Sequence, residues 1–71
     1  MNVRRLKGIM VEKDINVGKL ADYIGMDRST LYRKLSKGGD SITLHEANAI
    51  KKVLSLSPEE AHFIFFTSDV A

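Results

Sequence analysis

Between residues 28 and 37 the chain reads Arg28-Ser29-Thr30-Leu31-Tyr32-Arg33-Lys34-Leu35-Ser36-Lys37, and every residue there that is not leucine carries a hydrogen-bond donor on its side chain. At about 100° per residue, Leu31 and Leu35 mark one side of a helix for burial. Ser29, Arg33, Ser36 and Lys37 then fall broadly opposite, Tyr32 lies at one edge, and Arg28 occupies the first turn. A guanidinium is a planar fork of donors, and it matches the two acceptors on the major-groove edge of guanine well enough to discriminate by roughly 1–3 kcal/mol. Ammonium groups are point charges that suit phosphates. The chemistry open to this set is the reading of base edges by Arg28, Ser29, Tyr32 and Arg33, with Lys19, Thr30, Lys34 and Lys37 touching phosphates or positioning the helix. Taken alone, a basic helix face is ordinarily only solvated, so the assignment depends on the elements that carry it.

Those elements are two short helices broken at one glycine. Leu20, Ala21 and Ile24 recur at three- and four-residue spacing, and Gly25 can take the left-handed backbone that ends such a helix at little cost. Asp27 can cap the next helix. Two helices joined by so short a turn must cross steeply. Ala21 has to be small where they approach, and Ile24, Met26, Leu31 and Leu35 have to fill the angle between them. The arrangement is a helix-turn-helix, whose second helix can enter a major groove.

The 71 residues leave room for one small domain, residues 1–71, with one core. A chain of this length buries only about 60% of its unfolded surface. With no cysteine, neither disulfides nor thiolate metal sites can support it, so a helical core or a dimer partner must. No apolar run reaches the roughly 20 residues of a membrane span, and Met1-Asn2-Val3-Arg4-Arg5 leads into an amphipathic stretch, which makes the cytoplasm the default compartment. Net charge is only +2, but it is unevenly placed. Nine Lys and Arg face four Asp and Glu up to Lys37, against two facing five beyond it. The positive part carries the two-helix unit.

Around that unit the pattern is helical throughout. Asn2 can cap a first helix with Val3, Leu6, Ile9 and Met10 on its apolar side, ending near Lys13; Asp14 and Asn16 form a turn around Ile15, and Asn16 caps the second helix at Val17. Gly18 weakens that helix by up to about 1 kcal/mol. After the breaker Gly38-Gly39-Asp40-Ser41, Thr43 and Glu46 have capping-box spacing ahead of a fourth helix whose inner stripe is Leu44, Ala47, Ile50 and Leu54, with Val53 beside it. Ser57, Pro58 and Glu60 repeat the device for a fifth helix bearing Ala61, Ile64 and Phe65. The tail Phe66-Thr67-Ser68-Asp69-Val70-Ala71 is ambiguous. In Phe63-Ile64-Phe65-Phe66 neighbouring positions cannot all face one core. Phe63 or Phe66 therefore either covers helix one or four, or forms a homodimer contact.

Other chemistry is poorly supplied. His45 and His62 are far apart and no cysteine accompanies them, so no metal site is expected. Ser29, Ser36 and Ser57 have no local base, Glu59 and Glu60 serve helix capping and dipole, and the glycines lack phosphate-cradling spacing. No enzyme activity, cofactor or small-molecule ligand is expected.

The run Leu20-Ala21-Asp22-Tyr23-Ile24-Gly25-Met26-Asp27-Arg28-Ser29-Thr30-Leu31 resembles the helix-turn-helix of phage Cro and lambda-type repressors, including the small xenobiotic-response-element-type (XRE) regulators. The shared pattern is alanine, glycine four residues on, and an apolar residue six beyond that; the likeness spans about residues 3 to 66. It implies an all-α, five-helix, lambda-repressor-like DNA-binding domain. Two places depart from the family. Val17 stands where glutamine commonly touches the DNA backbone, and Lys34 stands where another apolar residue is usual, with Leu35 as the anchor instead. The second departure implies a recognition helix slightly rotated or extended.

The expected function is that of a phage-derived, Cro- or repressor-like transcriptional regulator binding operator DNA through about residues 28–37. The length favours a Cro-like protein over a full repressor, and the starting methionine and closed charge pattern do not suggest truncation. The alternative is a modulator or antirepressor that keeps the fold and binds another phage regulator instead of an operator.

Overall fold

Five helices begin where a short polar side chain can accept a free first-turn amide. The computed structural model describes residues 1–66 and comprises α1 (Val3–Glu12), α2 (Val17–Ile24), α3 (Arg28–Ser36), α4 (Leu44–Val53) and α5 (Pro58–Phe66), with no strand among the described residues. Asn2 accepts from the Arg5 amide (3.0 Å), Asn16 from Lys19 (2.8 Å), Asp27 from Ser29 (2.9 Å), Thr43 from Glu46 (3.1 Å) and Ser57 from Glu60 (3.1 Å). Each such bond satisfies one of the four donors a helix start leaves open. At α4 the box closes, the Thr43 amide donating to Glu46 Oε1 at 2.9 Å.

The ends are equally regular. Residues 14, 25, 38 and 55 have positive φ. At each, the following amide reaches back across the last turn: Ile15 to Met10, Met26 to Ala21, Gly39 to Lys34 and Leu56 to Lys51, at 2.9–3.0 Å. This is the Schellman closure, which satisfies carbonyls the helix end leaves open. Gly25 at φ 74° suits it; Ser55 at φ 52° does not, because its Cβ crowds the following carbonyl.

One core results, drawn from all five helices. Leu6, Leu20, Leu31, Ile50, Leu54 and Ile64 are fully buried, and Val3, Ile9, Met10, Ala21, Leu35 and Leu56 complete the cluster. Ile15, Val17, Ile24, Met26, Val53, Ala61 and Phe65 pack around it half-exposed. α2 packs on both α3 and α4, and α1 on α5. No helix among the described residues is long and apolar enough to cross a membrane.

Two expectations are corrected. Leu44 does not join the inner stripe of α4; it is 72% exposed, because at 100° per residue it lies about 120° around the helix from Ile50. Glu60 does not close a box with Ser57. Its carboxylate takes Arg5 of α1, Nη2 to Oε1 at 2.5 Å and Nε to Oε2 at 3.3 Å, since a charged fork offers two donors where an amide offers one. Alongside, the Asn2 amide donates to the Ile64 carbonyl at 2.6 Å, so α5 is fastened to the start of α1.

A second ion pair fastens α3 to α4. Lys34 Nζ of α3 contacts Glu46 Oε1 and Oε2 of α4 at 2.9 and 3.0 Å and the Ser41 carbonyl at 3.3 Å. The two side chains are only 19% and 22% exposed. The Thr43 amide and then Lys34 hold the Glu46 carboxyl below its ordinary value, against the opposing effect of partial burial.

Two measurements check this account. Ser55→Gly is expected to raise stability by about 0.5–1 kcal/mol and Gly25→Ala to lower it by about 1–2 kcal/mol, read from urea midpoints. Because the folded state lowers the Glu46 pKa, its contribution is present above the ordinary value of 4.5 and is lost as pH falls through the folded one. Glu46→Gln should therefore melt lower at neutral pH and lose less on acidification than the parent chain.

Candidate nucleic-acid interface

α2 ends because Gly25 turns the chain left-handed, its amide donating to the Asp22 carbonyl at 3.3 Å while Met26 donates to Ala21 at 2.9 Å. Two residues later Asp27, in an extended conformation, starts α3. The angle between the helices is closed by Leu20, Ala21 and Leu31, all at 0% exposure, and by Leu35 at 4%. Ile24 and Met26 pack against that cluster from its rim. The residues expected to build the two-helix unit are thus together.

The opposite side of α3 is open. Arg28, Ser29, Tyr32, Arg33, Ser36 and Lys37 are exposed, as is Lys19 on α2, while Thr30 is half-buried. Lys19, Arg33 and Lys37 make no ion pair among the described residues. Arg33 lies near enough to Asp27 to help lower its carboxyl, after the Ser29 hydroxyl and the Thr30 amide. With Lys34 this positive charge also sits at the C-terminal turn of α3, where the helix dipole favours it.

Three of the expected contact residues already have partners. Ser29 donates both its amide and its hydroxyl to Asp27 Oδ1, the latter at 2.5 Å, so at the cap its hydroxyl is left as an acceptor. Lys34 is held by Glu46 and Ser41, which turns it toward positioning α3 and away from solvent. Arg28 makes a two-point contact with Asp22 of α2, Nε to Oδ1 at 3.1 Å and Nη2 to Oδ2 at 2.5 Å. Its guanidinium lies over Gly18, where an added Cβ would meet Nη1 at 3.2 Å and Cζ at 3.3 Å. Each partner depresses or raises the expected group: Arg28 holds the Asp22 carboxyl down, and Asp22 holds the Arg28 guanidinium up.

Asp22, Gly18 and Glu46 are the members of this surface that sequence reasoning missed. Asp22 and Arg28 are six residues apart across a turn and Lys34 and Glu46 twelve apart, so helix periodicity pairs neither. Gly18 reads as a weak point of α2 until it is seen buried beneath an arginine. Val17, in the place of the family's glutamine, is the first residue of α2 and packs half-buried on the core.

Away from this face, α4 and α5 present an apolar groove lined by Leu44, Ala47, Phe65 and Phe66. Phe63 and Phe66 are 47% and 71% exposed, and the Phe66 ring sits 5.5 Å from that of His62, tilted by 34°. The remainder of the aromatic tail, Thr67 to Ala71, lies outside the described residues. No group of three or more His, Cys, Asp or Glu among the described residues could hold a metal ion.

Comparison with curated proteins and with solved structures returned no match. A family model does match: the Cro/C1-type helix-turn-helix DNA-binding domain, over residues 5–61. That span contains most of α1, the whole of α2 to α4, the Gly25 turn and the open face of α3, and the all-helical architecture agrees with it. The chain belongs to the Cro/C1-type helix-turn-helix DNA-binding domain family, and is of the XRE type.

Proposed function

We propose that this domain is a sequence-selective operator-binding protein that regulates transcription by occupying a promoter, in the manner of a small phage Cro or repressor. The observation that carries the reading is the open face of α3: Arg28, Ser29, Tyr32, Arg33 and Lys37 are exposed on a helix that Leu31, Leu35 and the Lys34–Glu46 pair hold rigidly against the core. In this reading Arg28, Ser29, Tyr32 and Arg33 face bases. Lys19, Thr30 and Lys37 face phosphates, and Lys34 acts by fixing the helix. Base contacts confer preference, whereas phosphate contacts confer affinity for any sequence and its dependence on salt.

The exposed Leu44, Phe63 and Phe66 support a second element, a homodimer formed across α4 and α5 that sets two α3 helices on half-sites about 34 Å apart. The same apolar patch supports an alternative in which the partner is another phage regulator and DNA is secondary. Selection from random DNA separates the two, since an operator-binding dimer yields a palindromic consensus and an antirepressor yields none.

Arg28→Ala should relax preference at one base pair. Lys37→Ala should weaken all sequences alike and reduce the slope of log K against log salt by about 1; titrations at several salt concentrations distinguish them. Phe66→Asp should leave the melting temperature nearly unchanged and shift sedimentation to monomer. A wild-type monomer at high concentration, with and without operator, removes the dimer.

A further inference from the structure

Asp22 stands out as an acidic side chain on the face that is to meet a polyanion. Repulsion from phosphate makes a carboxylate there unfavourable unless something else uses it. What uses it is Arg28. The contact runs from the side edge of the guanidinium, Nε and Nη2, to both carboxylate oxygens, and the plane is seated on Gly18, where a side chain would crowd Nη1, Cδ and Cζ at 3.2–3.3 Å. A guanidinium has five N–H donors. Asp22 takes one from Nε and one from Nη2, which leaves three, and of these one on Nη1 and one on Nη2 form the end edge, facing away from the carboxylate. The Arg28 side chain is 61% exposed, so that edge is accessible. It is the edge whose two parallel donors fit the O6 and N7 acceptors of guanine.

We infer that Asp22 is a positioning residue for base recognition: with Gly18 as the seat, it holds Arg28 in one orientation whose free edge reads a guanine at the N-terminal end of α3. This rests on the operator-binding reading and names the base that Arg28 selects. The function of the pair is orientation. An exposed ion pair contributes little to stability, but an arginine already fixed loses less rotamer freedom on binding than a free one. Asp22 also sets a second property, because its charge repels phosphate irrespective of sequence.

The two effects have opposite signs, which makes the inference testable with the full chain. Preference profiles from random DNA pools and affinities for a random duplex are measured for the parent, Asp22→Ala, Arg28→Ala and the double variant, with melting temperatures recorded for all. Gly18→Ala provides a second route to displacing the guanidinium. The expected result is one guanine position at which preference falls about tenfold in Arg28→Ala and comparably in Asp22→Ala, with no further fall in the double variant. Asp22→Ala should at the same time bind random DNA more tightly, a combination that damage to the fold would not produce. Undiminished guanine preference in Asp22→Ala, or losses that add in the double variant, would overturn the positioning role while leaving operator binding intact. A parent chain with no base preference at all would overturn the operator reading, and this inference with it.

Discussion

Ala21 and Leu31 lie at the point where α2 and α3 meet, both completely removed from solvent, and the recognition surface depends on that close approach. The two helices are joined by only three residues, Gly25 to Asp27, and a side chain as small as that of Ala21 suits their approach. The backbone enforces the same geometry independently. Gly25 turns left-handed, Met26 donates back to the Ala21 carbonyl, and Asp27 accepts the first amides of α3. Side-chain packing and main-chain hydrogen bonding therefore specify one crossing, and consistency of this kind is what allows a chain of 71 residues to hold a unique fold.

From that crossing the charges divide into two sets. Arg5 and Lys34 are half-buried between helices and are held by Glu60 and Glu46, so they fasten α5 to α1 and α3 to α4. Arg28, Arg33, Lys37 and Lys19 remain at the surface, and of these only Arg28 has a carboxylate partner among the described residues. A basic composition thus resolves into positions that stabilise architecture and positions that can meet a ligand. Net charge alone could not make that separation.

The family likeness departs at Val17 and Lys34, and the structure gives both departures a physical setting. Val17 exchanges a polar side chain at the start of α2 for packing on the core. Lys34, where an apolar residue is usual, keeps its stem close to the protein and its ammonium on Glu46, so the charge is neutralised where it is partly withdrawn from water.

What the sequence determined by itself is local. The starts at Asn2, Asn16, Asp27, Thr43 and Ser57, the turn at Gly25 and the inward faces of α1, α2 and α3 are all legible, because each depends on residues within about four positions of one another. Tertiary structure decided the rest. Arg28 finds Asp22 six residues away across a turn, Lys34 finds Glu46 twelve away, and Arg5 finds Glu60 fifty-five away. Helical periodicity encodes none of these distances. Glu60 abandons its cap for the same reason, since charge pairing is settled by which helix lies alongside, whereas Leu44 lies off the inner stripe on helical spacing alone. The existence of α3 was therefore legible in its spacing, while the state of its first arginine was decided by a neighbouring helix.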